Sequence, residues 1–188
     1  MSEVFNAPES QQLDNKFAIP VRYGLMAGFI AMFLTTISFM YILKYSFLAF
    51  GIFSFLTLLI PVALYVVAGI RQRKAMGGYI NIKEAFQAIF VVILVSQLIS
   101  AVYGIIYTKV IDPDCLERMK ESALAMFQKM NAPQESIDTQ MKSIDAQISG
   151  SLKPGKLILS FFQSIIGHSI AGILIALIIK KERPAQPF

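Results

Sequence analysis

Four stretches of this chain are long, apolar and free of Asp, Glu, Lys and Arg: residues 23–43, 47–70, 85–108 and 157–179. Each is long enough to cross roughly 30 Å of hydrocarbon as a helix rising about 1.5 Å per residue. In lipid no water is present to bond backbone amides, so a single crossing segment satisfies them only as a helix. The predicted fold class is therefore all-α, a polytopic membrane protein with four transmembrane helices. A content of 55% hydrophobic and 15% charged residues, with a mean hydropathy of +0.60, excludes an ordinary soluble domain of this length.

Between the third and fourth runs stands a polar insert, residues 112–150. Asp112-Pro113 breaks the preceding helix and is suited to start another, with Asp112 as cap and Pro113 in the first turn. Leu116, Met119, Ala123, Met126, Phe127 and Met130 then recur at three- and four-residue steps, Asn131-Ala132-Pro133 interrupts, and Ile137, Met141, Ile144 and Ile148 form a second stripe. This spacing predicts an amphipathic helical hairpin. Either the two stripes cover each other, or part of the Met and Ile surface is left for a partner protein or the lipid surface.

The chain divides accordingly into a mostly disordered tail (1–19), three spans (20–111), the hairpin (112–150), and the fourth span with its tail (151–188). A turn is required near Lys44, where no Gly or Pro marks it. Pro61 removes a backbone donor inside the second span and predicts a kink, leaving the Thr57 carbonyl without its usual partner. Tyr103 and Tyr107 are placed for an aromatic belt near the far end of the third span.

Charge sets the expected orientation. Lys16, Arg22, Arg71, Arg73, Lys74, Lys83, Lys180, Lys181 and Arg183 share one side, nine cations against five acids in short segments. The other side holds Lys44 and an insert region whose seven cations, from Lys109 to Lys156, meet seven acids. The positive-inside rule then puts both termini in the cytoplasm and the hairpin outside, in a bacterial cytoplasmic membrane. Because the cations flank spans and form no single patch, the net charge of +5 does not point to nucleic acid. One cysteine, Cys115, and one histidine, His168, exclude an internal disulfide, a cysteine metal cluster and the usual zinc sites. No metal or cofactor is expected.

Tyr23-Gly24-Leu25 with Gly28, the run from Gly77-Gly78-Tyr79 through Phe86, Asp112-Pro113, and the Gly172 region with Lys180-Lys181 resemble an uncharacterised bacterial family of small four-span membrane proteins, a domain of unknown function. The resemblance covers nearly the whole chain. It implies an integral membrane location and brings no catalytic residues.

The polar groups inside the spans are few. Gln97 and His168 fall at the same depth of the third and fourth spans, with Ser164 beside them; Ser100 and Gln163 are level with each other nearer the hairpin. These residues either tie the two spans together by hydrogen bonds or line a small polar cavity. Gly24, Gly28 and Gly172 permit close helix approach, within one bundle or between copies. The expected function is non-enzymatic partner binding or assembly through the hairpin, and the alternative is a small transporter or channel with a polar pathway between spans three and four. A continuous wet cavity there favours the alternative, and a dry seam favours the first. Expected partners are the lipid bilayer, a membrane or periplasmic protein, or a second copy of the chain.

Overall fold

The computed structural model describes residues 9–43 and 46–182. Its elements in chain order are α1 (Glu9–Ile37) with a π turn (Ser38–Ile42), α2 (Phe47–Ala75), α3 (Ile82–Ile106) with a π turn (Tyr107–Ile111), α4 (Cys115–Lys129), α5 (Gln134–Ser151) and α6 (Pro154–Ile179). Among the described residues there is no strand, only one isolated bridge between Ile80 and Lys181. Four segments are long and apolar enough to cross a membrane: Phe17–Tyr41, Phe47–Ala75, Ile82–Ile111 and Pro154–Ile179.

The four spans form a bundle in which α3 touches all of the other three. Small residues on its neighbours allow this. A Cβ at Gly24 would stand 2.7 Å from the Val95 Cβ, and one at Gly28 would stand 2.7 Å from the Ile99 Cδ1, so α1 lies directly on α3. On α6, a Cβ at Gly172 would come within 3.0 Å of the Ile93 Cδ1. All three glycines thus serve packing inside one chain. Gly69 on α2 plays the same part against the Ile179 Cδ1.

The α2–α3 loop closes one end of the bundle. Gly77 and Gly78 take positive φ angles of 80° and 88°, turning the chain where a side chain would be strained. Asn81 and Glu84 then form a reciprocal capping box at the start of α3, with Glu84 N–H donating to Asn81 Oδ1 at 2.9 Å and Asn81 N–H to Glu84 Oε2 at 3.1 Å. Ile80 and Lys181 exchange two backbone hydrogen bonds of 2.9 Å. Arg73 donates to the Ile179 carbonyl at 3.0 Å, satisfying a C-terminal carbonyl of α6. Beneath this clamp lies the main core, including Tyr65, Ala85, Ile89, Val92, Ile93 and Ile179.

The hairpin covers the opposite end. Cys115, Ala123 and Ile137 are buried between α4, α5 and the bundle, while Leu116, Met119, Met126, Phe127, Met141, Ile144 and Ile148 are half-buried. The stripes are covered partly by each other and partly by the bundle, Leu116 facing α3 and α6 and Met126 facing Leu43 and Phe47, and Met130 at the tip remains 68% exposed. Lys120 bridges the helices to Asp145 at 2.7 Å, and the Ser122 hydroxyl donates to the Leu43 carbonyl at 3.3 Å, seating α4 on the bundle. Burial, with the Asp112 carboxylate adding to it, raises the Cys115 pKa above the ordinary thiol value, which makes this thiol a poor nucleophile.

Three local expectations differ from the structure. Residues 1–8 of the expected disordered tail lie outside the described residues, but from Glu9 the chain is already helical and runs without a break into the first span. The helix accommodates Pro20 within it. Asp112 does not cap α4; Asp114 occupies that position without a side-chain cap bond, because the Asp112 carboxylate pairs with Arg118 and accepts from the Tyr107 hydroxyl. The π turn helps make this possible: the Asp112 amide donates to the Tyr107 carbonyl at 2.8 Å. Tyr103 and Tyr107 do not form a lipid-facing belt. Tyr103 shares a hydrogen bond with Thr36, and Tyr107 is fully buried beside Phe39. The turn near Lys44 and the tail from Arg183 onward lie outside the described residues, although Ser46 caps α2 immediately after that turn.

If the glycine contacts hold α1 on α3, Gly24→Ala destabilises the protein by about 1–3 kcal/mol through overpacking. Gly51→Ala, where an added Cβ meets nothing within 4 Å, is neutral or gains about 0.5–1 kcal/mol. Thermal unfolding in detergent checks this, and equal effects at the two sites would contradict it.

Candidate functional site

The polar groups of α3 and α6 meet near the middle of the bundle. The Ser164 hydroxyl lies 2.8 Å from Gln97 Oε1, Gln97 Nε2 lies 3.2 Å from His168 Nδ1, and His168 Nδ1 lies 2.8 Å from the Ser164 carbonyl. A carbonyl oxygen only accepts, so Nδ1 carries the proton in that last bond. The other contacts are then satisfied with the Gln97 amide turned over, its oxygen toward Nδ1 and its nitrogen toward the Ser164 hydroxyl. In the neutral ring this leaves Nε2 as the accepting nitrogen, with no hydrogen bond among the described residues. The Tyr65 ring stands edge-on to the imidazole at 6.2 Å.

This cluster separates two chambers. The first, about 150 Å³, lies inside the bundle and is bounded by all four spans: Ala27 and Ala31 of α1; Ser54, Thr57, Leu58, Pro61 and Tyr65 of α2; Ser96, Gln97 and Ser100 of α3; and His168 of α6. It is large enough for several waters and supplies polar partners for them. The Tyr65 hydroxyl is buried with no partner in good hydrogen-bond geometry among the described residues, and Ser96 and Gln97 are the polar side chains nearest it. Proline at 61 leaves the Thr57 carbonyl without its helical donor, adding an acceptor to the same α2 segment.

The second chamber, about 420 Å³, is open along one side and runs from the cluster toward the hairpin between α3 and α6. Gln97, Ser100, Gly104 and Thr108 line one side, and Leu157, Ser160, Phe161 and Ser164 the other. Leu116, Ser151 and Leu152, from the two roots of the hairpin, stand at its outer end. A Cβ at Gly104 would meet nothing within 4 Å, so here the small residues make space instead of contact. Toward the loop end the seam is closed by Ile89, Ile93, Gly172, Ile175 and Ala176, all buried.

Gln97, Ser164 and His168 are thus joined as their common depth predicts, and Ser100 lines both chambers. Gln163 is not part of the cluster; its position on α6 turns it to the exposed outer face. On α2 sequence reasoning reaches Pro61 and the Thr57 carbonyl only through the expected kink, and it misses Ser54 and Tyr65 altogether. Ser54, Thr57, Pro61 and Tyr65 follow at steps of three, four and four, the spacing of one helix face, and that stripe was available as a signal.

Ser164 and His168 do not make an activated hydroxyl. Among the described residues no carboxylate orients the ring, and Nδ1, the nitrogen nearest the hydroxyl, is committed to a backbone carbonyl. Among the described residues no group of three His, Cys, Asp or Glu side chains is placed to hold a metal ion. The site is built for hydrogen bonding. A double-mutant cycle with Gln97→Leu and His168→Leu is expected to show a coupling of about 0.6–2 kcal/mol in unfolding free energy. Strictly additive losses would mean that the two side chains do not interact.

The sequence profile of a family described as protein of unknown function, DUF4199, matches residues 22–181. No curated protein and no solved structure matches. The matched region begins just before Gly24 and ends at Lys181, so it takes in the four spans, the hairpin and the clamp at the loop end. This four-span membrane chain belongs to the DUF4199 family of proteins of unknown function.

Proposed function

We propose that the protein is a non-enzymatic membrane component of the transporter or channel class that binds a small polar solute between α3 and α6. The observation that carries this reading is that Gln97 and Ser100 line both chambers. A solute leaving the hairpin-end chamber would meet the amide of Gln97 and the hydroxyls of Ser100 and Ser164, which offer donors and acceptors without charge. The packed seam toward the loop end stops it there, so passage requires α3 and α6 to separate at Gly172 and Ile93. The charge distribution supports a bacterial cytoplasmic membrane with the hairpin outside and both termini inside.

Partner binding through the hairpin is the second reading. It is favoured by Met130, bare at the tip while most of the stripe is covered. The same residue reports topology: Met130→Cys should react with a membrane-impermeant maleimide on intact cells, whereas the buried Cys115 stays silent. Labelling only after the membrane is breached would reverse the orientation.

The solute reading is tested by a thermal-shift screen of small neutral polar solutes on the purified protein. A ligand at 100 times its Kd raises stability by about 2.7 kcal/mol. That gain should vanish in Gly104→Leu, which fills the hairpin-end chamber, and fall in Gln97→Leu. If no solute stabilises the protein, or if Gly104→Leu responds like the parent, the reading fails.

A further inference from the structure

We infer that the outer face of α6 is the seam of a parallel two-fold homodimer in which Gln163 of one copy hydrogen-bonds Gln163 of the other. Gln163 lies ~5 Å along the helix axis from the midpoint of α6, at about 1.5 Å per residue, so a hydrocarbon layer of roughly 30 Å centred on the helix encloses it. It is exposed, lines neither chamber, and makes no hydrogen bond among the described residues. A primary amide facing lipid has nothing to bond, and that depth is out of reach of the headgroups, so a partner for it is strongly favoured.

The residues around it form a contact surface. Leu159, Gln163, Ile166, Ile170, Ile173 and Leu177 follow at steps of four and three in alternation, and all are exposed. This is the seven-residue repeat of a left-handed helix seam, with one polar position to fix its register. Gly167 stands beside Gln163, and its Cβ position meets nothing within 4 Å, which leaves room for a second backbone to approach. The exposed face of α2, carrying Leu48, Ile52, Phe55 and Leu59, has no such amide and is suited to lipid alone.

The occupant follows from the chemistry of the amide. Every copy inserts with the same orientation and depth, so a two-fold axis along the membrane normal brings Gln163 against Gln163. An amide is both donor and acceptor, and two of them satisfy each other reciprocally. A foreign span would need a matching polar group at the same depth, whereas a second copy supplies one by construction.

The test uses the full chain with Cys115→Ala, reconstituted in liposomes. Ile166→Cys, at the seam and with Gln163 intact, should form a disulfide-linked dimer on mild oxidation, while Phe55→Cys on α2 should not. By Förster transfer between labelled copies, Gln163→Leu should weaken association ~3- to 30-fold. Gly167→Leu, which the monomer has space to accept, should weaken it similarly without lowering the unfolding temperature. The proposal is overturned if the protein stays monomeric across the range of lipid dilution, if Ile166→Cys fails to crosslink, or if neither Gln163→Leu nor Gly167→Leu alters association.

Discussion

The close approach of α1 and α6 to α3 is the contact on which the rest of this bundle depends. Without a hydrophobic drive between helices in lipid, association rests on packing and on the few polar groups that bond across the seam. Gly24 and Gly28 let Val95 and Ile99 lie against the α1 backbone, and Gly172 admits Ile93. The same kind of residue has the opposite effect one half-span away. Gly104 faces no bulky partner, because the α6 residues lining the opposite side include Ser160 and Ser164, and the seam opens into a chamber. One pair of helices is thereby sealed at the loop end and parted at the hairpin end, with Gln97, Ser164 and His168 at the boundary.

Each end of the bundle is fastened differently. At the loop end, positive-φ glycines, a capping box, an exchanged pair of backbone hydrogen bonds and the Arg73 contact fix the start of α3 to the finish of α6. The run from Gly77 to Phe86 therefore reads as structural fastening, which explains its residue types without a ligand. At the hairpin end the fastening is electrostatic: Asp112 draws in Arg118 and Tyr107, and α4 leaves the membrane from that point. Arg118 is held further above its ordinary pKa by this carboxylate, so it stays charged at any physiological pH.

Much of this architecture is legible in the chain itself. Lipid forces apolar runs of this length into helices, so the four spans follow from hydropathy, and the 3.6-residue stripes of the insert give the hairpin. The common depth of Gln97 and His168 also follows, because antiparallel helices have a fixed rise per residue. What periodicity does not supply is rotation. Gln163 and Ser164 are adjacent in sequence and similar in depth, yet 100° of helical turn sends one outward and the other to the cluster. Tyr65 was overlooked for a related reason: its ring is apolar enough to pass as ordinary span, and only its place on one face with Ser54, Thr57 and Pro61 reveals the inner chamber. Asp112 does not cap α4 because the π turn and Arg118 offer its carboxylate a better partner than free helix amides.

A solute path between α3 and α6 requires a wet row and a lipid row on the hairpin-side half of α3. Spin labels placed singly at Ser100, Gly104 and Thr108, and at Leu98, Val102 and Ile106, measure this directly in liposomes through collision with a polar nickel chelate and with oxygen. Nickel access along the first row, increasing toward the hairpin, is expected, with oxygen access alone along the second, whose members are exposed on the outer face of the bundle. Oxygen access without nickel along both rows would show the chamber to be filled by acyl chains and would contradict it.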